Sequence, residues 1–145
     1  MRWRKAIRHL MVEAALEMRY PANDATDMTT PTEIILHKKS KTLEIAFDDG
    51  ARYTLPFEFL RVYSPSAEVK GHGPGQEILQ VGKRHVELID VEPAGSYAAK
   101  LIFDDGHDSG LYTWRYLRQL GDEQQALWQD YLQRLKVASA SREPD

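Results

Sequence analysis

The sequence predicts a small α+β domain in which an antiparallel β-sheet of two similar hairpins is covered by a C-terminal helix. Three observations support this fold class: apolar residues alternate along the middle of the chain, the turn sequence Phe-Asp-Asp-Gly occurs twice, and apolar residues near the C-terminus follow helical spacing. A chain of 145 residues has the length of about one domain. We therefore expect a single domain over residues 28–138.

The first 27 residues differ from the rest. Apolar residues recur there at helical spacing among basic residues, and the pattern ends at Tyr20-Pro21. The segment predicts a weakly helical or poorly ordered extension, although such a basic amphipathic stretch is also typical of a helix at a membrane surface or against a partner. Sequence upstream of the natural first residue is another interpretation, because the chain from Met28 reads like a domain start.

The middle region predicts strands at residues 33–37, 42–47 and 52–55. Alternation of Leu43, Ile45 and Phe47 with more polar neighbours indicates one buried face, and Asp49-Gly50 is a strong hairpin signal. A short helical turn over 57–64 and a loop rich in Gly, Pro and Ser follow. Three further strands are predicted near residues 84–93, 97–103 and 110–114.

The C-terminal region predicts one long helix. Asp122 stands in the N-cap position with Gln125 at the capping-box position, and the apolar stripe is expected to cover the sheet. The stripe consists of Leu127 or Trp128, Tyr131, Leu135 and Ala138. Residues 139–145 are expected to be a disordered polar tail.

The two copies of the turn sequence belong to longer similar segments. "LEIAFDDGARYTLPFEFLR" and "AKLIFDDGHDSGLYTWRYLR" share an apolar strand, Phe-Asp-Asp-Gly, an aromatic residue and Leu-Arg. They predict two similar hairpins that each lead into a short helical turn. The first copy has no histidine after the glycine, so Phe-Asp-Asp-Gly can serve as turn chemistry alone.

Composition excludes several function classes. The formal charge of −3 does not favour binding to nucleic acid or an anionic membrane surface, and no apolar run approaches the length of a membrane span. The absence of cysteine removes disulfides, thiolate metal sites and a cysteine nucleophile. It fits a reducing compartment, and we expect a cytoplasmic protein.

The second copy, extended to "VELIDVEPAGSYAAKLIFDDGHDSGLYTWRYLRQL", resembles the gamma-butyrobetaine hydroxylase-like N-terminal domain family. The resemblance includes the Val-Glu-Pro turn, the Asp-Gly-His motif and Tyr-Thr-Trp, and in the first half the Leu-Pro and Leu-Arg elements. It covers residues 31 to 120. It implies a compact α+β domain and, for short bacterial members, no established activity.

The resemblance also implies a site for comparison. In eukaryotic hydroxylases this domain carries a zinc site of clustered cysteines, after a Leu-Arg element, together with the histidine of the Asp-Gly-His motif. His107 matches that histidine, whereas Ser64, Ser66 and Val69 stand near the cysteine positions. Serine is a poor zinc ligand, so the family's zinc site is not expected here. Some bacterial relatives are fused to, or found alongside, iron–sulfur-carrier P-loop ATPases, which implies a protein partner of that kind.

A metal site without cysteine is the alternative. His107 with the carboxylates of Asp105 and Asp108 and with His72 from the loop would suit zinc or iron. Against it stands a structural interpretation, in which both aspartates accept backbone N–H bonds in the turn and His107 donates a structural hydrogen bond.

Catalysis is less well supported. The spacing of His85 and Glu87 matches part of an iron and 2-oxoglutarate hydroxylase site, which would make the chain part of such a system, but the barrel required does not fit in this length. Ser109 lies near a histidine without a nucleophile-elbow context.

The sequence therefore favours a non-catalytic binding or accessory domain with a protein partner and no expected cofactor. Its predicted interaction surface is Ser64, Ser66, His107, Ser109, Tyr112 and Trp114.

Overall fold

The computed structural model describes residues 30–71, 73 and 75–144, together with the backbone course of residues 4–10 and 13–19. Within these residues, eight strands form two antiparallel sheets, and four helices follow or separate them. The strands are β1 Arg4–Leu10, β2 Glu13–Arg19, β3 Pro31–His37, β4 Thr42–Phe47, β5 Arg52–Pro56, β6 Leu88–Ala94, β7 Ala98–Phe103 and β8 Leu111–Thr113. The helices are α1 Phe57–Val62, α2 Ala67–Lys70, α3 Trp114–Asp122 and α4 Gln124–Val137.

The larger sheet has the order β1-β2-β3-β4-β5 and the smaller one the order β6-β7-β8. Their inner faces share one core, built from the alternating apolar residues of the strands and closed by the apolar faces of α1 and α3. Leu36, Leu43, Ile45 and Leu55 from one sheet and Leu88, Leu101 and Tyr112 from the other are almost completely buried. The predicted α+β class with two similar hairpins is confirmed.

The sequence repeat is a structural repeat. Each copy consists of a three-stranded meander and a short helix, β3-β4-β5-α1 in the first and β6-β7-β8-α3 in the second. The two Asp-Asp-Gly turns use the same hydrogen bonds: Asp49 accepts from the N–H of Ala51, and Asp105 accepts from the N–H of His107. Gly50 and Gly106 adopt φ angles of 91° and 85°, which favour glycine.

The copies are joined by reciprocal ion pairs. Arg118 at the end of the second copy binds Asp49 in the turn of the first, with Nη1 to Oδ1 at 3.0 Å and Nη2 to Oδ2 at 2.8 Å. Arg61 at the equivalent position of the first copy binds Asp105 in the turn of the second, with Nε to Oδ2 at 2.8 Å. The repeated Leu-Arg and Asp-Gly elements are thus contacts between the copies.

The N-terminal extension differs from its prediction. Where apolar spacing predicts a helix, the backbone forms a hairpin of β1 and β2, and β2 pairs with β3 from Ala15 opposite His37 to Arg19 opposite Glu33. An open strand edge offers unpaired N–H and C=O groups, and pairing with it overrides a weak helical pattern.

The C-terminal region also differs in detail. Asp122 was predicted to cap the last helix, but it is the last residue of α3, and α4 begins after Glu123 without a side-chain cap. Asp122 instead accepts a hydrogen bond from the Tyr53 hydroxyl.

The polar tail, for which no order was predicted, packs on the body of the domain. The N–H groups of Gly82 and Arg84 donate to the carbonyl oxygens of Ser141 and Arg142, both at 3.0 Å. A polar segment of this kind is ordered by backbone pairing and ion pairs, which composition alone does not reveal.

Candidate functional site

The turn after β7 sets the position of His107. The N–H of Phe103 donates to the carbonyl of His107 at 3.0 Å and closes the turn, while Asp105 accepts from the N–H of His107 at 3.2 Å. This geometry points the imidazole into the domain beside the Phe103 ring, with only 5% of the residue exposed. The geometry of the turn therefore sets the direction of the His107 side chain.

Both ring nitrogens of His107 are engaged. Nε2 lies 2.8 Å from Ser64 Oγ, and Nδ1 lies 2.9 Å from Glu68 Oε2. A neutral ring protonated at Nδ1 donates to Glu68 and accepts the hydroxyl proton of Ser64. The segment between α1 and α2 is thereby joined to the turn after β7.

Two further serines complete what we call the serine–histidine network: Ser64, Ser66, Glu68, His107 and Ser109. Ser66 Oγ lies 2.7 Å from Ser109 Oγ, and Ser109 donates to Glu68 Oε2 at 2.8 Å. Ser66 also caps α2 by accepting from the N–H of Glu68 at 3.2 Å. The network is a closed ring of hydrogen bonds between α2 and the second turn.

Charge beside the network is balanced by Asp105. Its Oδ2 accepts from Lys83 Nζ at 2.7 Å and from Arg61 Nε at 2.8 Å. Burial alone would raise the pKa of this carboxyl, but hydrogen bonds from Lys83 and Arg61 outweigh burial and lower the pKa to about 2. Asp105 is therefore committed to two cations.

The pKa of His107 is lowered. Burial penalises the charged ring, and the nearby Arg61 guanidinium adds to the effect, against attraction from Glu68 and Asp105. Although Glu68 is at ion-pair distance, its side chain is 67% exposed, so water screens its charge. The lowered pKa favours the neutral form of the ring.

The order Ser64–His107–Glu68 has the connectivity of a catalytic triad. Ser64, however, has no exposed surface, and its Oγ also accepts from the N–H of Ser66 at 3.2 Å. Gly110 covers it so closely that a Cβ there would lie 2.5 Å from Ser64 Oγ. In this geometry the Ser64 hydroxyl is buried and hydrogen-bonded, which favours a structural network over a catalytic triad.

The residues predicted as a metal site do not all converge. His107 faces Ser64 and Glu68, Asp105 faces Arg61 and Lys83, and Asp108 lies on the surface with its Oδ2 4.0 Å from Lys100 Nζ. His72 lies outside the described residues. No group of three or more His, Asp or Glu side chains within the described part of the chain has the geometry to hold a metal ion.

The predicted interaction surface is mostly interior. Ser64, Ser66, His107, Tyr112 and Trp114 are all buried, and only Ser109 of that set is exposed. Tyr112 donates to the Leu60 carbonyl at 2.5 Å and Trp114 donates to the Ser96 carbonyl at 2.9 Å. Five of the six residues are thus buried, and their role in an interaction stays a prediction. His85 and Glu87, the pair with hydroxylase-like spacing, do not lie on a strand. His85 lies in a turn, and Glu87 precedes β6.

An open cleft lies next to the network. It has a volume of about 560 Å³ and runs between α2 with the following loop on one side and α3 with α4 on the other. We call it the tyrosine cleft, because Tyr63, Tyr116 and Tyr131 line it. Val69 and Lys70 of α2 and the following Gly71 form part of its wall.

The tyrosine hydroxyls of the cleft are already used. Tyr63 donates to the Leu127 carbonyl, Tyr116 to the Tyr63 carbonyl and Tyr131 to the Gln80 carbonyl, each at 2.6 Å. Burial raises the pKa of Tyr116 and of Tyr131 to about 12. The cleft therefore contains apolar ring surface with the hydroxyl groups turned to backbone oxygens.

Two cations stand over these rings. Lys70 Nζ lies 4.5 Å from the centre of the Tyr116 ring, and the guanidinium carbon of Arg134 lies 5.5 Å from that of Tyr63. Ile78 on the cleft wall is 56% exposed. The rim thus combines positive charge with exposed apolar surface.

Comparison with known proteins fits this description. The profile of the family "Gamma-butyrobetaine hydroxylase-like, N-terminal" matches residues 34–118, more than half of the chain. The chain belongs to this family. Among curated proteins, no relative matches the chain.

Solved structures that are similar to this member of the gamma-butyrobetaine hydroxylase-like N-terminal family include the following three. Two are solution structures determined by NMR: one is 56% identical, with a TM-score of 0.72 and coverage of 82% of this chain and 94% of the other. The second is 50% identical, with a TM-score of 0.71 and coverage of 85% and 92%. The third, a protein of unknown function of the DUF971 family from Acidithiobacillus ferrooxidans, is 40% identical, with a TM-score of 0.56 and coverage of 66% and 98%.

The zinc site that the family resemblance implies does not fit this chain. Ser64 and Ser66 present hydroxyls near the expected thiolate positions, and Val69 presents no ligand at all. Both nitrogens of His107 are engaged by side chains of the serine–histidine network. Hydrogen bonds here join the same two segments that a shared metal ion would join.

Sequence reasoning missed three contributors to the site: Glu68, Arg61 and Lys83. Ser66 followed by Glu68 is a helix-start signal that could have identified α2 and its carboxylate. The repeated Leu-Arg and Asp-Gly elements could have suggested the Arg61–Asp105 pair. Lys83 gives no local signal.

Proposed function

We propose that this family member is a non-catalytic binding module that receives a segment of a cytoplasmic protein partner in the tyrosine cleft. The tyrosine cleft itself is the observation that carries the proposal. Its volume of about 560 Å³ falls in the range of sites that bind small ligands or a few side chains of a peptide. In the part of the chain that the structure describes, no helix has both the length and the apolar character needed to cross a bilayer.

The chemistry of the cleft favours a peptide segment with an apolar side chain. Aromatic rings supply a large contact area at low entropic cost, and they are enriched in protein recognition surfaces. Because each tyrosine hydroxyl is satisfied internally, an apolar group can cover the rings without leaving a buried donor unpaired.

The closed serine–histidine network supports the non-catalytic part of the proposal. Its potential nucleophile, Ser64, is buried, and both ring nitrogens of its histidine lie at hydrogen-bond distance from side chains. A network that joins α2 to the second turn stabilises the cleft wall that α2 provides.

Site-specific crosslinking tests the proposal. A photoreactive phenylalanine analogue replaces Ile78 on the cleft wall, and the control replaces Leu111, which is 45% exposed but does not line the cleft. We expect a discrete crosslinked partner from position 78 only. Equal crosslinking from both positions, or none from position 78, would contradict the proposal.

The family resemblance suggests one partner to test directly. A purified iron–sulfur-carrier P-loop ATPase should crosslink to position 78 if this chain is its accessory domain. If it does not crosslink while another protein does, the binding module stands and this partner is wrong.

The metal-binding alternative has its own test. Protein purified without a histidine tag is analysed for zinc and iron beside a His107→Ala variant. Binding of about one equivalent that is lost in the variant would favour a metal protein over the binding module. We expect no stoichiometric metal, since the carboxylates nearest His107 are engaged by cations, hydroxyls and the ring itself.

A further inference from the structure

A second site lies on the other side of α4, where a buried carboxylate holds an arginine. Glu58 in α1 has 8% of its side chain exposed, and Arg142 from the C-terminal segment binds it with both arms of the guanidinium. Nε donates to Oε2 at 2.8 Å and Nη2 donates to Oε1 at 2.7 Å. The same guanidinium lies 5.1 Å from the centre of the Trp128 ring.

Open space surrounds this pair. A cavity of about 600 Å³ is lined by Glu58, Phe59, Asp122 and Trp128, with Arg142 at its wall. Arg142 is the one cation among the described lining residues, and the two carboxylates leave the cavity negative without it. This cavity is separate from the tyrosine cleft. Trp128 of α4 lines the cavity, whereas Leu127, Tyr131 and Arg134 of the same helix line the cleft.

The segment that delivers Arg142 is attached by contacts at the surface. Two backbone hydrogen bonds join residues 82 and 84 to residues 141 and 142, and Arg84 pairs with Glu143. The side chains of that pair are 47% and 54% exposed. Exposed pairs contribute little to stability, whereas the Arg142 pair ends on a buried carboxylate.

We propose that Glu58 and Trp128 form a guanidinium-binding site that Arg142 occupies from within the chain, and that an arginine side chain of a partner protein displaces it. A carboxylate that accepts two parallel N–H bonds matches the planar fork of arginine, and an indole face attracts the same cation. Lysine offers one point of charge and fits this geometry less well. Arg142 belongs to the same chain and is therefore present at high effective concentration. A partner's arginine must compete with it, which favours partners that also displace the rest of the C-terminal segment.

The proposal is independent of the tyrosine cleft and is tested on the full chain. N-acetyl-arginine amide is titrated into wild-type protein and an Arg142→Ala variant, and the Trp128 indole N–H signal is followed by NMR. We expect the variant to bind at least 10-fold more tightly than the wild type, since the internal competitor is gone. Arg115→Ala, which removes an exposed arginine outside the cavity, should bind like the wild type.

Two further variants secure the assignment. In the Arg142→Ala background, Glu58→Gln should abolish saturable binding, and N-acetyl-lysine amide should bind at least fivefold more weakly than the arginine probe. Should Arg142→Ala fail to fold, Arg142→Lys keeps a charge on Glu58, and it should still bind the probe more tightly than wild type. Absence of saturable binding in a folded Arg142 variant, or binding that survives Glu58→Gln, would overturn the proposal.

Discussion

Replacing Ser64 by alanine tests whether the serine–histidine network supports the fold. The Oγ atom of Ser64 is completely buried, it shares a hydrogen bond of 2.8 Å with His107 Nε2, and it accepts from the N–H of Ser66. Removing it leaves two buried polar groups without this partner. Each buried polar group that loses its partner costs about 1–3 kcal/mol, so for two groups we expect a loss of about 2–6 kcal/mol in the free energy of unfolding.

Urea unfolding followed by circular dichroism measures this loss. The midpoint should fall in Ser64→Ala while the slope stays unchanged, because the folded and unfolded surfaces remain the same. Ser40→Ala is the control: Ser40 is exposed in the turn before β4, and the change should stay within about 0.5 kcal/mol.

A double-mutant cycle separates this hydrogen bond from general damage. His107→Leu alone should also destabilise, because it leaves Ser64 and Glu68 without the ring. The double variant should lose less than the sum of the two single losses, since both partners of the bond are then apolar. A Ser64→Ala loss below about 0.5 kcal/mol, or strictly additive losses, would refute the structural role of the network.

Three further predictions follow from the same region. Gly110→Ala should destabilise by about 1–3 kcal/mol in thermal unfolding because its Cβ would meet Ser64 Oγ, whereas Gly73→Ala, with open space at its Cβ position, should be neutral. Asp105→Asn should flatten the acid limb of the stability curve: the folded pKa of about 2 lies below the ordinary 3.8, so this carboxylate stabilises above about pH 4 by roughly 1–2 kcal/mol after screening, and the contribution disappears as pH falls towards 2. The His107 imidazole should titrate below 6.5 by NMR, so that stability falls as pH drops through 6.5; a midpoint above 6.5 would show that Glu68 dominates.

The strands and turns were predicted well from the sequence, because both depend on interactions between residues that are close along the chain. Alternation along Thr42–Phe47 and the Asp49-Gly50 turn specify a strand and its reversal within about ten residues. The end of α3 was predicted wrongly for the same reason. Aspartate is a common helix cap, but the side chain of Asp122 accepts a hydrogen bond from Tyr53, which is 69 positions away. Local capping preferences lose to such contacts.

The site could be predicted only in part. Its residue types were identified, since His107, Ser64 and Ser66 stand out in the sequence, but their burial depends on how the two copies pack. Contacts between His107 and Ser64 span 43 positions, and those between Arg142 and Glu58 span 84. Sequence periodicity does not report pairings over such distances. Whether each of these side chains faces the core or the solvent is therefore visible only in the structure.

The two copies of the repeat differ in the turn that follows Phe-Asp-Asp. In both turns the aspartate accepts an equivalent backbone hydrogen bond and binds an equivalent arginine of the other copy. The shared contacts of Asp49 and Asp105 therefore support the fold. Only the second turn carries a histidine after its glycine, and only that histidine continues the bonding to α2. Because α2 supplies Val69 and Lys70 to the tyrosine cleft, the network positions a wall of that cleft. A variant such as Ser64→Ala should therefore reduce crosslinking from position 78 even where the domain stays folded.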